Sequence, residues 1–307
     1  MIVEETIVGQ GTEFPLDGLL CMPDSPRSAV PAVVFVHGSG PSNKDEQIYN
    51  LKPFKDLAEG LAKRGIASIR YDKRTYAHAK KARNLTPTVR EETIDDAILA
   101  AELLVHDPRV DRDAIYVVGH SMGAMLAPRI DAECGLFRGM VLMAGTPLRL
   151  EQVMVRQFQQ AKESGSLIVR FAARLEDRIF SKKFDGLYEL SDDAARRTKF
   201  AGGMTLYYFK EMGTKTAADY LLESVKPALI MQGGMDFQVL ASEDYALFQE
   251  LLSERPNVEW RLYEDLNHLF VRGIYRDIAK ASKEYRVERH VDSKVMDDIA
   301  EFIRATR

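Results

Sequence analysis

Cysteine is scarce in this chain: 307 residues hold two, Cys21 and Cys134. Two cannot build a disulfide framework, and their separation is not a metal-ligand spacing, so they read as buried, reduced thiols. No apolar run approaches the ~20 residues that a bilayer-spanning helix requires. The first residues, "MIVEETIVGQ", place Glu4 and Glu5 where a secretory leader would carry basic residues running into an apolar stretch. An excess of either charge is also missing. Lys and Arg total 42 against 46 Asp and Glu, a net charge of −4, and the basic residues are scattered. That distribution argues against nucleic acid or an anionic membrane as partner. Internal repeats and low-complexity stretches are absent. The expectation is a cytoplasmic protein that handles a small molecule, as a monomer or a homodimer.

What is present is ordinary globular composition, 46% hydrophobic and 29% charged, in a chain long enough for one large α/β domain or two smaller ones. "VEETIVGQ" and "LDGLLCMP" read as short strands joined by a turn. "PAVVFVHG", "IASIRYD", "AIYVVGH", "GMVLMAG", "PALIMQGG" and "NVEWRLYE" read as further strands, several apolar throughout as in a parallel sheet covered on both faces. Between them, Phe54, Leu57, Ala58, Leu61 and Ala62 recur at helical spacing, as do Ile94, Ala97, Ile98, Ala101, Leu104 and Val105. "MGAMLAPRIDAE" reads as a helix that Pro128 should bend. Further helices are expected around 243–252 and on Val291, Val295, Ile299, Phe302 and Ile303. This alternation predicts an α/β fold with a mostly parallel central sheet flanked by helices. From 146 to 222 the alternation stops in favour of a helix-rich, polar and aromatic stretch. The expected organisation is a core of 1–145 and 223–307 with a helical cap inserted at 146–222.

"YVVGHSMGAMLAP" sets Ser121 between Gly119 and Gly123, at the junction of a strand and a helix. The pattern is G-x-S-x-G. So sharp a turn crowds its backbone, and small residues two positions either side relieve the clash. The central side chain is then held out at the strand's end, beside a helix N-terminus that favours developing negative charge. A serine placed there is an exposed nucleophile, and it needs a base that an acid orients.

Of the six histidines, His37 ends a strand and shapes its loop, and His120 should point away from its neighbour Ser121. His78 and His106 read as surface residues, and His290 opens the last helix. His268, in "EDLNHLF", follows the last strand in a loop and is the candidate base. Asp236, in "GGMDFQV", ends the preceding strand and is the candidate acid. Asp265 lies only three residues from His268, and Glu243 and Asp244 suit a helix's first turn. Acyl transfer also needs donors for an oxyanion. The backbone N–H groups of Met122 and Ser39 fill that role, with Gly38 and Gly40 letting the "HGSG" loop approach closely. Asp72, Lys73 and Arg74 read as a structural cluster of mutually compensating charges.

With "VHGSGP", "GHSMGA", "GGMD" and "NH" in this order, the sequence resembles the α/β-hydrolase superfamily over nearly its whole length. "HGSGPSNKDEQIYNLKPFKDLAEGLAKRGIASIRYDKRTY" with "GHSMGAMLAPRI" narrows the likeness to a bacterial carboxylesterase subgroup related to serine aminopeptidase-like and dienelactone hydrolase-like proteins. Typical members carry Gly where Ala124 stands. The resemblance implies an α/β-hydrolase fold, Ser121 as nucleophile, Asp236 as orienting acid, His268 as general base, and no metal or organic cofactor. The implied substrate is a small-molecule ester of a short or small aromatic acid. Peptidase and thioesterase chemistry use the same triad and stay open, as does a silent binding protein on this fold. Glu151, Glu163, Glu176 and Asp177 are the insertion acids that could hold a peptide's amino terminus. Phe158, Phe171, Phe180, Tyr188, Tyr207, Tyr208 and Phe209 either line an acyl pocket or pack the cap.

Overall fold

The runs read as strands pair into one sheet. The computed structural model describes residues 1–24, 28–84, 87–163, 180, 182–200 and 203–307. Its strands are β1 (Ile2–Val8), β2 (Leu16–Met22), β3 (Val30–Val36), β4 (Ala67–Tyr71), β5 (Val110–His120), β6 (Gly139–Met143), β7 (Ala228–Gly233) and β8 (Val258–Tyr263). They lie in the order β1-β2-β4-β3-β5-β6-β7-β8. β1, β2 and β4 pair antiparallel, and every pairing from β4 through β3 to β8 is parallel. This is the α/β-hydrolase fold, a mostly parallel eight-stranded sheet flanked by helices.

β3, β6 and β7 are buried along their whole length, which explains their unbroken apolar runs. Successive side chains enter opposite layers. Val34, Val36, Val117 and Leu142 join one core with Ala97, Ala101 and Ile130, while Val33, Phe35, Val118 and Val141 join the other with Leu57, Leu61 and Ile299. Helices Pro53–Ala62 and Ser293–Thr306 cover the second face, Asp95–His106 and Met122–Cys134 the first. Asp292 caps the last helix by accepting from Lys294 N, and Gly135 ends the helix after Ser121 in a left-handed conformation, φ 68°. That helix runs on through Pro128 to Cys134.

Local chemistry changed one predicted face. Asp96 and Ala100 are buried in helix Asp95–His106, whereas Ile98 and Val105 are half-buried. Asp96 goes inward because Arg74 grips both its carboxylate oxygens, at 2.5 and 3.2 Å.

Between β6 and β7 the described residues include helices Leu150–Glu163, Asp192–Arg197, Leu206–Gly213 and Ala217–Glu223. Phe171, Glu176 and Asp177 lie outside the described residues. Helix Leu150–Glu163 is tied to the helical turn Ala241–Tyr245 after β7 through Arg156, which donates to Asp244 Oδ2 at 2.7 Å. Because the strands from β4 to β8 run parallel, the loops after β3, β5, β7 and β8 leave from the same edge of the sheet. Those loops carry Ser39, Ser121, Asp236 and His268.

Candidate active site

Ser121 stands between the end of β5 and the first turn of helix Met122–Cys134, with φ 54° and ψ −117°. Positive φ is costly for a residue with a Cβ, so the surrounding chain must impose it. The glycines make that closeness attainable. A Cβ on Gly119 would lie 2.2 Å from Gly123 O, and one on Gly123 would lie 2.1 Å from Val36 O. Ser121 N–H donates to Met143 O at 2.9 Å, which pins the turn to β6.

His268 and Asp236 meet as a buried pair, with Nδ1 2.7 Å from Oδ2. Asp236 is itself held. Its Oδ1 accepts from the N–H groups of Gln238 and Val239 at 2.7 and 3.0 Å, and Gln232 Nε2 donates to Oδ2 at 3.1 Å. An acceptor-only carboxylate at Nδ1 favours the hydrogen on that nitrogen and leaves a lone pair on Nε2. Nε2 has no hydrogen-bond partner among the described residues.

The link from this pair to Ser121 runs through His120. Its ring centroid lies 4.8 Å from that of His268, and its Nε2 donates to His268 O at 2.9 Å. The His120 side chain thus points away from the serine into the packing beneath it. On the other side Nδ1 lies 2.9 Å from Glu46 Oε2, off the ring's N–H axis, as an ion pair. Burial opposes both charges, yet the Glu46 carboxylate, with the His268 carbonyl, holds the His120 pKa above its ordinary value. Burial likewise opposes the Glu46 charge, and the His120 and His37 imidazoles and the Gly38 N–H outweigh it to hold that carboxyl low.

Ser39, Ser121 and Met122 line one cavity of about 530 Å³. Met122 N–H opens its helix without an intrahelical acceptor, and neither it nor Ser39 N–H donates to another described backbone group outside the helices and strands. Gly38 brings the Ser39 loop against the elbow: a Cβ there would lie 3.2 Å from Ser121 Cβ. Its N–H donates to Glu46 Oε1 at 2.7 Å and its carbonyl accepts from Lys73 Nζ at 2.9 Å. The rest of the wall is largely apolar, with Met125, Leu150, Val153, Met154 and Phe209 facing the space. Glu92 is the carboxylate among the described lining residues. It is already engaged, with Lys73 Nζ at 3.0 Å on Oε1 and the Tyr208 hydroxyl donating to Oε2 at 2.6 Å.

The remaining candidates sit elsewhere. His37 is buried against Phe54 and Tyr71 with Nε2 3.0 Å from Asn43 O, and burial pushes its pKa down to about 4. His78, His106 and His290 face Pro15 O, Glu102 O and Asp56. Asp265 lies 3.9 Å from Arg272 at the surface, while Glu243 and Asp244 accept from Arg156. Asp72 accepts from Lys44 N, and Lys73 and Arg74 pair with Glu92 and Asp96, so the three charges are met by neighbouring segments rather than by one another. Of the insertion acids, Glu151 accepts from Tyr188 and Glu163 is exposed. Tyr208 and Phe209 line the cavity, whereas Phe158 stacks on Phe180. Glu46 and Glu92 went unnoticed in sequence because charged residues in polar surroundings carry no spacing signal for burial, and Gln232 because it ends an apolar run without any motif of its own.

Among the described residues no group of three or more His, Cys, Asp and Glu side chains is placed to hold a metal ion, and no helix is long and apolar enough to cross a membrane.

Comparison with known proteins follows the same lines. The model of the alpha/beta hydrolase family matches residues 33–273. Esterase EstD of Thermotoga maritima is 36% identical over 273 residues, which is 89% of this chain and 62% of EstD, so the chain spans less than two thirds of that relative. Est1E from Butyrivibrio proteoclasticus has a TM-score of 0.59 at 15% identity, over 98% of each chain. Porphyromonas gingivalis dipeptidyl peptidase 4 has a TM-score of 0.58 at 18% identity, over 99% of this chain and 35% of its own. Likeness at such identity extends to the fold alone.

Proposed function

The chain belongs to the alpha/beta hydrolase family, and from that premise we propose that it is a serine hydrolase of small carboxylic esters. The observation that carries this reading is the buried Asp236–His268 hydrogen bond at the same sheet edge as the strained Ser121 elbow. The likeness to EstD, an esterase by name, supports the ester as substrate class.

In the proposed reaction, His268 Nε2 takes the Ser121 proton while the oxygen attacks the ester carbonyl carbon. Asp236 stabilises the imidazolium that forms. The N–H groups of Ser39 and Met122 receive the oxyanion, and His268 returns the proton to the departing alcohol. Water deprotonated by the same imidazole then releases the acid from the acyl-enzyme. No step calls on a metal or an organic cofactor. Both oxyanion donors belong to the main chain, so the Ser39 hydroxyl is dispensable.

We assign 146–222 as a helical cap whose Leu150, Val153, Met154 and Phe209 form the acyl wall, suited to a short aliphatic or small aromatic acid. A cytoplasmic location and a role without nucleic acid or membrane remain part of this reading, with monomer and homodimer both compatible. The peptidase alternative is weaker on one specific count. An aminopeptidase must meet a substrate ammonium with a free carboxylate, and among the described lining residues the one carboxylate, Glu92, is already bound by Lys73 and Tyr208. A thioesterase remains the nearer rival because a thioester makes no such demand.

Parallel assays of p-nitrophenyl acetate and butyrate, an acyl thioester, and amino-acyl p-nitroanilides test the reading. Turnover of the oxygen esters that Ser121→Ala abolishes is expected; preferential turnover of the anilides or the thioester would overturn it.

A further inference from the structure

Gly38 precedes Ser39, and both of its polar backbone groups are held by buried charges of opposite sign. Glu46 takes the N–H and Lys73 the carbonyl. The Glu46 side continues further. Through Oε2 it reaches His120 Nδ1 at 2.9 Å, and His120 Nε2 reaches the backbone carbonyl of His268 at 2.9 Å. One imidazole, in the residue before Ser121, therefore joins the loop of the proposed oxyanion donor to the loop of the proposed base.

The hydrogen positions follow from the partners. A carbonyl oxygen only accepts, so His120 Nε2 carries a hydrogen. Glu46 Oε1 accepts from Gly38 N–H, while Oε2 lies 2.9 Å from Nδ1 off the N–H axis, so it is charge rather than a hydrogen bond that favours an imidazolium against the carboxylate. Both residues are 4% exposed, and neither lines the cavity. A buried ion pair yields little stability beyond what apolar residues of the same volume provide, so stability alone is a poor account of it.

We propose that Glu46 and His120 form a positioning unit that sets the Gly38–Ser39 peptide and the His268 backbone in register around Ser121. The proposal rests on the hydrolase reading and adds to it two residues that do not touch substrate. Misplacing an oxyanion donor or the base weakens contacts made as the tetrahedral intermediate forms, whereas ground-state binding depends on the apolar wall. Losses should therefore fall on kcat and spare KM.

The test uses Glu46→Gln, His120→Gln and the double variant with p-nitrophenyl butyrate, beside wild type and Ser121→Ala. Gln at 46 keeps an acceptor for Gly38 N–H, and Gln at 120 keeps an N–H for the His268 carbonyl, so folding is preserved by design. Each single variant is expected to lose about 10- to 100-fold in kcat with KM within about twofold. The double variant should be no worse than the poorer single one, because the pair acts as a unit. His120→Leu, lacking the N–H, should lose more than His120→Gln. Nitrogen NMR of free wild-type protein should find both His120 nitrogens protonated, and Nδ1 deprotonated in Glu46→Gln. Unchanged kcat in the single variants, additive losses, or one protonated nitrogen in wild type would overturn the proposal. Normal wild-type turnover with unaffected variants removes this proposal alone, whereas an inactive wild type removes the hydrolase reading and the positioning role with it.

Discussion

His268 Nδ1 lies 2.7 Å from Asp236 Oδ2, although the two residues are 32 positions apart and follow different strands. Asp236→Asn would place an amide against that nitrogen and favour the wrong tautomer. A loss of about 10³- to 10⁴-fold in kcat is expected, as for a triad acid changed to its amide. The Gln238 and Val239 N–H groups still find an oxygen, and Gln232 Nε2 loses one acceptor but keeps Val239 O, so the melting temperature should fall by only a few degrees. Steady-state kinetics with a thermal melt checks both, and a variant within tenfold of wild type contradicts the pairing.

Gly119→Ala tests the elbow. The added methyl carbon would fall 2.2 Å from Gly123 O and 2.4 Å from its carbonyl carbon, both backbone atoms that cannot step aside. The turn must open, and we expect more than about 2 kcal/mol of lost stability together with loss of turnover. Urea unfolding and an ester assay on the same preparation measure the two effects.

His37 should make the fold sensitive to acid. Its pKa is about 4 when folded, against 6.5 as the ordinary value. Between those values the unfolded chain binds a proton that the folded chain refuses, so stability is lost as pH falls from 6.5 towards 4. The shift is worth about 3 kcal/mol over that window. His37→Gln, with an N–H to offer Asn43 O but no titration, should have a flatter stability profile than wild type between pH 7 and 4. Parallel profiles in urea unfolding would contradict this.

Asp244 is fully buried and accepts from Thr146 Oγ1 at 2.5 Å, Leu240 N at 2.7 Å and Arg156 at 2.7 Å. Asp244→Ala strands all three donors, one of them charged. A destabilisation of about 3–5 kcal/mol is expected in denaturant unfolding. A loss below about 1 kcal/mol would mean that this buried contact does not secure helix Leu150–Glu163 to the segment after β7.

The buried strands were legible because sheet burial leaves a local trace, whereas β1, exposed along most of its length, was legible only as a run bounded by a turn. Apolar runs such as "PAVVFV" and "GMVLM" follow directly from strands covered on both faces. The Ser121 elbow was legible for a related reason, since steric crowding permits only small residues at 119 and 123. His268 and Asp236 could be chosen by position after their strands. The polar scaffold beneath them could not. Glu46 sits in "NKDEQ", where charge suggests solvent, and only the tertiary fold brings His120 to it. Glu92 lies in the helical turn Arg90–Ile94, and Asp96 in the helix Asp95–His106 that follows it, read as amphipathic. They turn inward because Lys73 and Arg74, some twenty residues earlier in the chain, meet them there. Pairings of that kind depend on packing between elements and have no local periodicity.

The central claim is that Ser121 is the nucleophile, and covalent labelling tests it most directly. Folded wild-type protein treated with a fluorophosphonate should gain one adduct, mapped by peptide mass spectrometry to Ser121, with ester turnover lost in proportion. Unfolded protein and Ser121→Ala should gain none. An adduct on another residue, or full ester turnover in protein that carries the label on Ser121, would contradict the account.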